Sequence, residues 1–567
     1  MRLRRVLLPV FLLVACRAAP PVQAPAQSAA APAQARLPSV APSAAPPGDR
    51  VTLIFSASTA GQLVPCGCAP EQRGGLPRAV ALLKKLRAEE PNLVYVDAGD
   101  LLFESAARPS AQSLTQKSLK ARALARGDEL LFAAARVVGP RDLAAGTGLL
   151  IESAGAVPLL DAGGAPLPQA KASILVQAGK VPIGLFAAGL GEAPEKTIAA
   201  RAAELRKQGA RLVVLVAQPR GEPAWASAQA LLPAARAAGV DLVVLGHRDD
   251  PASDLDRKEL GPPALLGVEG HGQSLLRIDI SLPEGATGPV VLARATEDRG
   301  AELKSMDDRI QNLRDELARA PAERKQMLGD QIARLETRRA AAAQAALAMP
   351  IGVGVATAHY LPLSPEVGED EEAKALVETY DGKVSELNLA EAKTQPARCP
   401  APRKGERAFV GVSQAEGCAQ CHKDEVAFWE GTHHASAYST LVKAKKQFSL
   451  DCVRCHVTGW QQPGGVCRID KTEVGGLGVE GHGVGRRDVQ CEACHTAGSA
   501  HVDEPGDENI ARKVPAAVCM RCHEAANSPH FDYAKYLPYV TGPGHGAYLP
   551  KGEKPHPLAT GKGPNSP

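Results

Sequence analysis

Methionine and aromatic residues are scarce in this chain of 567 residues, with five Met, three Trp, eight Tyr and nine Phe. So few large rings exclude a conventional aromatic core over part of the length, the more so beside 54 Gly and 46 Pro. Charge of one sign is lacking as well: 65 Lys and Arg against 62 Asp and Glu leave +3, so nothing marks nucleic acid as a partner. After the first 16 residues no apolar run is long enough to span a bilayer. What is present is unevenly placed. Of 13 cysteines, eight lie past residue 417 in C-x-x-C pairs, and 11 of 14 histidines lie past it too. The chemistry belongs to the C-terminal third, and a chain of this length predicts two or more domains.

The opening, MRLRRVLLPVFLLVAC, has a basic start, a short apolar run and a small residue before Cys16. That is the pattern of an export signal, too short for a mature membrane helix. Its end, Leu13-Val14-Ala15-Cys16, resembles the bacterial lipobox. The resemblance implies that Cys16 is diacylated and becomes the new N-terminus; ordinary cleavage beside an incidental cysteine is the alternative. Arg17 rather than Asp in the next position implies the outer membrane by the usual bacterial sorting pattern. Residues 17–50 are dominated by Ala, Pro, Ser, Gln and Arg and read as a disordered tether.

From Val51 to residue 298, apolar strands alternate with helices: VTLIF, then RAVALLKKLRAEE stopped by Pro91, NLVYVDAGD, ARLVVLVAQ and VDLVVLGHRDD. Continuous apolar strands predict a sheet covered on both faces, an α/β layered sandwich. Gly99-Asp100, Gly139 to Gly146 and Gly246-His247, each at a strand or helix end, resemble the calcineurin-like metallophosphatases of the 5'-nucleotidase branch. That family implies two metals held by about six ligands. This chain departs from the pattern at most of them, with Ser58-Thr59-Ala60, Gly139-Pro140-Arg141-Asp142, Gln218 and Asp249 where ligands are expected. Asp142 and Asp249 are conceivable replacements, while Arg141 suggests neutralisation of a vacant site. The expectation is a degenerate scaffold without phosphatase activity. Cys66 and Cys68 stand apart: pairing with Cys399 or Cys467, a metal role and a mixed disulfide all remain open.

Residues 299–348 read as two helices broken at Pro321, with Ile310, Leu313 and Leu317 on one face and Leu328, Ile332 and Leu335 on the other. A helical hairpin or short coiled coil follows. Residues 349–407 read as a connector containing the helical stretch EEAKALVETYDGKVSELNLAEA.

Residues 408–567 carry four copies of one pattern: CAQCH, CVRCH, CEACH and CMRCH. C-x-x-C-H is the attachment motif of haem c. Two thiols one helical turn apart reach the two vinyl groups, and the adjacent imidazole meets one face of the iron. Zinc does not require the following histidine, and a dithiol redox pair requires neither it nor four copies. The thioether positions are Cys418, Cys421, Cys452, Cys455, Cys491, Cys494, Cys519 and Cys522; the proximal ligands are His422, His456, His495 and His523.

Met520, trapped inside its own motif, is the only methionine past residue 405, so the sixth ligand falls to histidine. His433, His434, His482, His501, His530, His545 and His556 are available, each with a solvated loop position as its plain alternative. Histidine on both faces implies fairly low potentials. Residues 408–545 resemble the tetrahaem cytochrome c-554 family through VGVSQAEGCAQCHKDEVAFWEGTHHASAYSTLV, QFSLDCVRCHVTGWQQPGG and VQCEACHTAGSAHVDEPGD. The resemblance implies distal ligands at His434 and His501. His482 and His545 are further candidates. The family's histidine after the fourth motif is replaced by Asn527, which leaves His530, His545 or a five-coordinate iron there. Four porphyrins would supply much of the apolar core that side chains do not.

The expectation is an exported, lipid-anchored tetrahaem cytochrome with a mainly helical and irregular haem domain, passing electrons between redox proteins of the periplasm or outer membrane, other cytochromes among them. Competing readings are a redox enzyme acting on a small nitrogen or oxygen species at a five-coordinate haem, and a haem-linked phosphoesterase.

Overall fold

The structure is a computed structural model that describes residues 48–542, apart from 66–71, 165–166, 220–222, 248–257, 260–261, 284–289, 293–295, 320, 348–353, 395–398, 414–416, 473–484, 524–527 and 529–530. The strands are β1 (Gly48–Ser56), β2 (Leu93–Asp97), β3 (Ala135–Val137), β4 (Leu159–Leu160), β5 (Ser173–Ala178), β6 (Val181–Ala188) and β7 (Leu212–Ala217). They continue as β8 (Leu242–Leu245), β9 (Lys258–Glu259), β10 (Ala264–Gly267), β11 (Ser274–Pro283), β12 (Val290–Leu292) and β13 (Gly354–Pro362). The first sheet has seven strands in the order β12-β13-β11-β1-β2-β3-β4, and the second has six in the order β5-β6-β7-β8-β10-β9.

The helices of this region are α1 (Leu76–Glu89), α2 (Ala111–Leu130), α3 (Thr147–Ser153), α4 (Pro194–Lys207), α5 (Ala224–Gln229), α6 (Leu232–Ala237), α7 (Thr296–Arg319), α8 (Ala322–Leu347) and α9 (Glu371–Ala392). Alternation along the strands separates three apolar layers. Leu53, Phe55, Val214 and Val216 meet in one buried cluster shared by both sheets. Ile54 points the other way, toward α1, α2 and α9. Val213 and Leu215 face α4, α5 and α6. Each sheet is therefore covered by helices on one face and by the other sheet on its second, in keeping with the expected layered sandwich whose sheet is covered on both faces. A strand buried on both sides has the same apolar run whichever element covers it.

Of the connector expected over 349–407, residues 354–392 belong to this sandwich. β13 lies inside the first sheet, antiparallel to β11, with Ile278 opposite Ala358. α9 is capped by Asp370, whose carboxylate accepts from the Ala373 N–H at 3.1 Å, and it buries Ala373, Val377, Tyr380 and Val384 against the sheet's helices. The hairpin forms as α7 and α8 on either side of Pro321, with Ile310, Leu328 and Ile332 buried. β1 begins at Gly48, inside the stretch read as tether. The signal segment and Cys16 lie outside the described residues, and no described helix is long and apolar enough to cross a membrane.

The C-terminal region is short helices and loops: α10 (Lys423–Glu430), α11 (Ala437–Lys443), α12 (Leu450–His456), α13 (Cys491–His495), α14 (Ser499–Asp503), α15 (Ala516–Cys519) and α16 (Tyr533–Tyr536). Its buried apolar clusters are small, one around Tyr438, Leu441, Val453 and Val466, the other around Val412, Ala419 and Val426. Cys399 is disulfide-bonded to Cys467, with Cα atoms 5.1 Å apart. Neither therefore pairs with Cys66 or Cys68, which lie outside the described residues.

Candidate functional sites

In the α/β sandwich the loops that follow the strands make tight turns. Ser58, Ala60 and Asp100 have positive φ, as does Gly99 at +106°, where a side chain would run into Gln218. The groups placed by those turns are committed to one another. Asp100 pairs with His247 through its Oδ2, accepts the Arg141 backbone N–H on Oδ1 at 2.8 Å, and has the Arg141 guanidinium 3.8 Å away. Arg141 therefore serves Asp100 rather than its neighbour Asp142. Asp142, considered above as a replacement ligand, turns both oxygens to the backbone: Oδ2 accepts from Asp100 and Gly139 and Oδ1 from Leu102, all at 2.9 Å. Burial first, then the charge of Asp100, pushes its carboxyl up to about 7.

Gln218 donates through Nε2 to the Ala98 carbonyl at 2.5 Å, and its buried Oε1 has no partner among the described residues. Asp249 lies outside them. Among the described residues no three His, Cys, Asp or Glu side chains group as metal ligands. The donors that are described fit a second-rate site at best, because two-metal chemistry needs carboxylates and imidazoles turned to a common centre.

The C-terminal region is built around its four motifs. The first and fourth make the helical turn that the spacing requires: the His422 N–H reaches the Cys418 carbonyl at 3.0 Å, and the His523 N–H reaches that of Cys519 at 2.9 Å. The second and third lie on α12 and α13. The Cys418 thiol lies against that of Cys491, and the Cys522 thiol against that of Cys455. Each contact, followed by burial, raises the pKa of Cys418 and Cys522. Cys494, pushed up to about 11 by burial, also feels the charge of Cys519. The four motifs thus meet in one cluster, linked first to third, third to fourth and fourth to second.

The imidazoles are positioned with equal economy. His422 and His501 face each other with ring centroids 6.2 Å apart and planes 26° from parallel; His434 and His523 have the same 6.2 Å separation at 45°. A metal–imidazole bond of about 2 Å on each side, plus roughly 1 Å from each nitrogen to its ring centre, asks for about 6 Å between two axial rings. The centroid separation of each pair matches that requirement. His456 Nδ1 donates to the Ala437 carbonyl at 2.6 Å and His495 Nδ1 to that of Ala511 at 2.8 Å, while His501 Nδ1 stands 3.1 Å from the Gly506 carbonyl. A carbonyl on Nδ1 fixes the tautomer that offers Nε2 to a metal. Burial, then the charges of His523 and His433, lowers His434 to about 4 and keeps it the neutral imidazole that ligation needs.

Asn527 had pointed to a missing ligand at the fourth motif; His434, from the segment after the first motif, stands opposite His523 instead. His482, His530 and His545 lie outside the described residues. The sequence reading missed Glu492, an interior position of CEACH. Its buried carboxylate accepts the N–H groups of Val410 at 2.9 Å, Gly411 at 2.6 Å and Gly498 at 2.8 Å. Gln490 likewise accepts the Val412 N–H at 3.1 Å and donates to the Gly485 carbonyl at 2.7 Å. These polar clips hold the strand of chain before the first motif against the third, where few apolar side chains are available.

Residues 417–496 match the family described as "Cytochrome c554 and c-prime". Cytochrome c-554 of Nitrosomonas europaea is 36% identical over 86 residues, 12% of this chain and 37% of that protein, so little more than a third of the relative's length is spanned. Over residues 417–496 the C-terminal region is thus similar to c-type cytochromes, and its C-x-x-C-H motifs fit covalent attachment of haem c. Among solved structures, a 5'-nucleotidase precursor from Thermus thermophilus is similar over 70% of this chain and 68% of its own, with 15% identity and a TM-score of 0.39. A calcineurin-like phosphoesterase from Bacillus subtilis is similar over 59% of this chain and 98% of its own, with 11% identity and a TM-score of 0.36. With TM-scores below 0.5, neither likeness carries an argument about this chain.

Proposed function

We propose that this chain is an envelope-anchored tetrahaem cytochrome that passes single electrons between redox proteins, other cytochromes of the periplasm or outer membrane foremost, and that its α/β sandwich no longer hydrolyses phosphoesters. The carrying observation is the meeting of all four C-x-x-C-H segments in one cluster, with two imidazole pairs spaced for iron. Haems attached there would lie close enough for an electron to pass along the series, and the haem supplies the one-electron iron couple when bound. The chain's own part would be to hold each porphyrin through two cysteines, orient the imidazoles through Nδ1 partners and fix the segment before the first motif with the clips around Glu492. Histidine on both faces favours low potentials and leaves no open position for a substrate at those irons.

For the sandwich, the support is the engagement of Asp100 by Arg141 and His247 and of Asp142 by three backbone amides. The lipobox-like Leu13-Val14-Ala15-Cys16 supports attachment to the envelope through Cys16.

The test is expression of the full chain in a host that matures haem c, followed by pyridine-haemochrome quantification and intact mass. Four porphyrin increments per chain, with low-spin ferric EPR signals, are expected. A chain without covalent haem overturns the reading, and a high-spin signal shifted by nitrite or hydroxylamine turns it toward the enzyme alternative. Labelled fatty acid retained by the wild-type chain and lost on Cys16→Ala tests the anchor.

A further inference from the structure

Among the described residues, the α/β sandwich meets the haem module beside the second motif. Lys120, on α2, donates to Asp451 Oδ2 at 2.8 Å, with its side chain only 14% exposed. Asp451 immediately precedes Cys452, the first attachment thiol of that motif. Beside this pair, Asn388 on α9 donates both to Gln116 Oε1 on α2 at 2.8 Å and to the Phe448 carbonyl at 2.7 Å. Asp381 on α9 faces Lys446 at 3.8 Å. Ala392, at the end of α9, packs into the cluster of Tyr438, Val453 and Val457, so the module's main apolar cluster is completed by the sandwich.

We propose that the α/β sandwich is retained as one wall of the second haem's setting, in which Lys120 is a positioning residue that balances the Asp451 carboxylate beside Cys452 and so sets the potential of that haem. A carboxylate next to a redox centre, even one 36% exposed as the Asp451 side chain is, favours the ferric state, since the extra electron of the ferrous state would lie in its field. A cation held against the carboxylate cancels most of that field. Desolvation opposes charge on both partners, yet Lys120 is held above and Asp451 below the ordinary value by their mutual attraction, with Lys117 and Arg454 adding to it at Asp451. Glu104 is the other anion on Lys120, at 3.5 Å. The phenol of Tyr380, buried on α9, also feels Asp451 and Cys452, which places the same helix beside the attachment point. The couple concerned is Fe(III) plus one electron to Fe(II), supplied in the test by a mediated electrode, with no bond made or broken.

The inference rests on haem being attached at Cys452 and Cys455. A preparation without haem absorbance defeats that reading, whereas loaded protein can defeat this inference alone. The experiment is a spectroelectrochemical titration of the full haem-loaded chain. Lys120→Met is expected to move one of the haem transitions to lower potential, Asp451→Asn to move the same one upward, and the double variant to return it near the wild type. Transitions that stay in place in both single variants, or that all shift together, overturn it, because a role in packing alone leaves an individual potential unmoved. Should Lys120→Met fail to accumulate, Lys120→Arg and Asp451→Asn decide: no shift in the first and an upward shift of one transition in the second support the proposal, and an unmoved second overturns it.

Discussion

His434 and His523, from opposite ends of the haem module's sequence, stand with ring centroids 6.2 Å apart, the same separation as His422 and His501. Each pair joins a motif histidine to one outside any motif. Replacement of His434 or His501 by Ala should therefore convert one low-spin ferric haem to high-spin while the attached mass stays the same. EPR of the two single variants checks this, and unchanged spectra would show that neither residue is an axial ligand.

Asp142 gives the sandwich a pH response of defined sign. Its carboxyl lies at about 7 in the folded chain against an ordinary 3.8, so the folded state keeps a proton that the unfolded chain has released across that interval. The stabilisation is complete below the unfolded value and is lost as pH rises through about 7. Asp142→Asn should flatten this fall in melting temperature. It should also lower stability by about 1–3 kcal/mol, because its amide group would meet an N–H where an acceptor stood. Thermal melts between about pH 5 and pH 8 read both effects.

In the haem module the Glu492 carboxylate serves Val410, Gly411 and Gly498 at once. Glu492→Ala leaves three buried amides without an acceptor and should cost about 2–5 kcal/mol. Guanidinium unfolding of the loaded protein, followed at the Soret band, measures it.

The Cys399–Cys467 bridge closes a loop with a sequence separation of 68. A Cys399→Ser, Cys467→Ser double variant should lose about 2–4 kcal/mol, with the lower end expected where thioethers already restrain the same loop. Denaturant melts of variant and parent compare the two. An unchanged midpoint would show that the haems alone fix that segment.

With manganese or zinc added, the full chain should leave nucleotides and chromogenic phosphates intact, since the Asp100 and Asp142 oxygens already hold protein donors. Metal-dependent release of phosphate that disappears in Asp100→Ala would restore the phosphoesterase reading.

The motifs and their thiols were legible because C-x-x-C-H is a local chemical requirement, written within five neighbouring residues. Long apolar strands such as Leu212–Ala217 were equally plain, but what covered them was not, since a second sheet and a layer of helices demand the same side chains. β13 escaped because Gly354–Pro362 mixes small, polar and aromatic residues and joins β11 only across the intervening hairpin. The same distance hid the partner of His523: Asn527 is near in sequence, His434 is near in space. Glu492 had no signal at all, because a charged residue inside a motif reads as solvated until the amides around it are placed.

The hairpin of α7 and α8 leaves the first sheet after its edge strand β12 and returns into the adjacent β13, which runs parallel to it with Val290 opposite Gly354. Its two limbs have 24 and 26 residues, about 36 and 39 Å of helix at 1.5 Å per residue. Matched additions to both limbs cancel at the base. The protein thus owns an arm whose reach can be lengthened or cut by whole turns while the register of the strands beneath it stays the same.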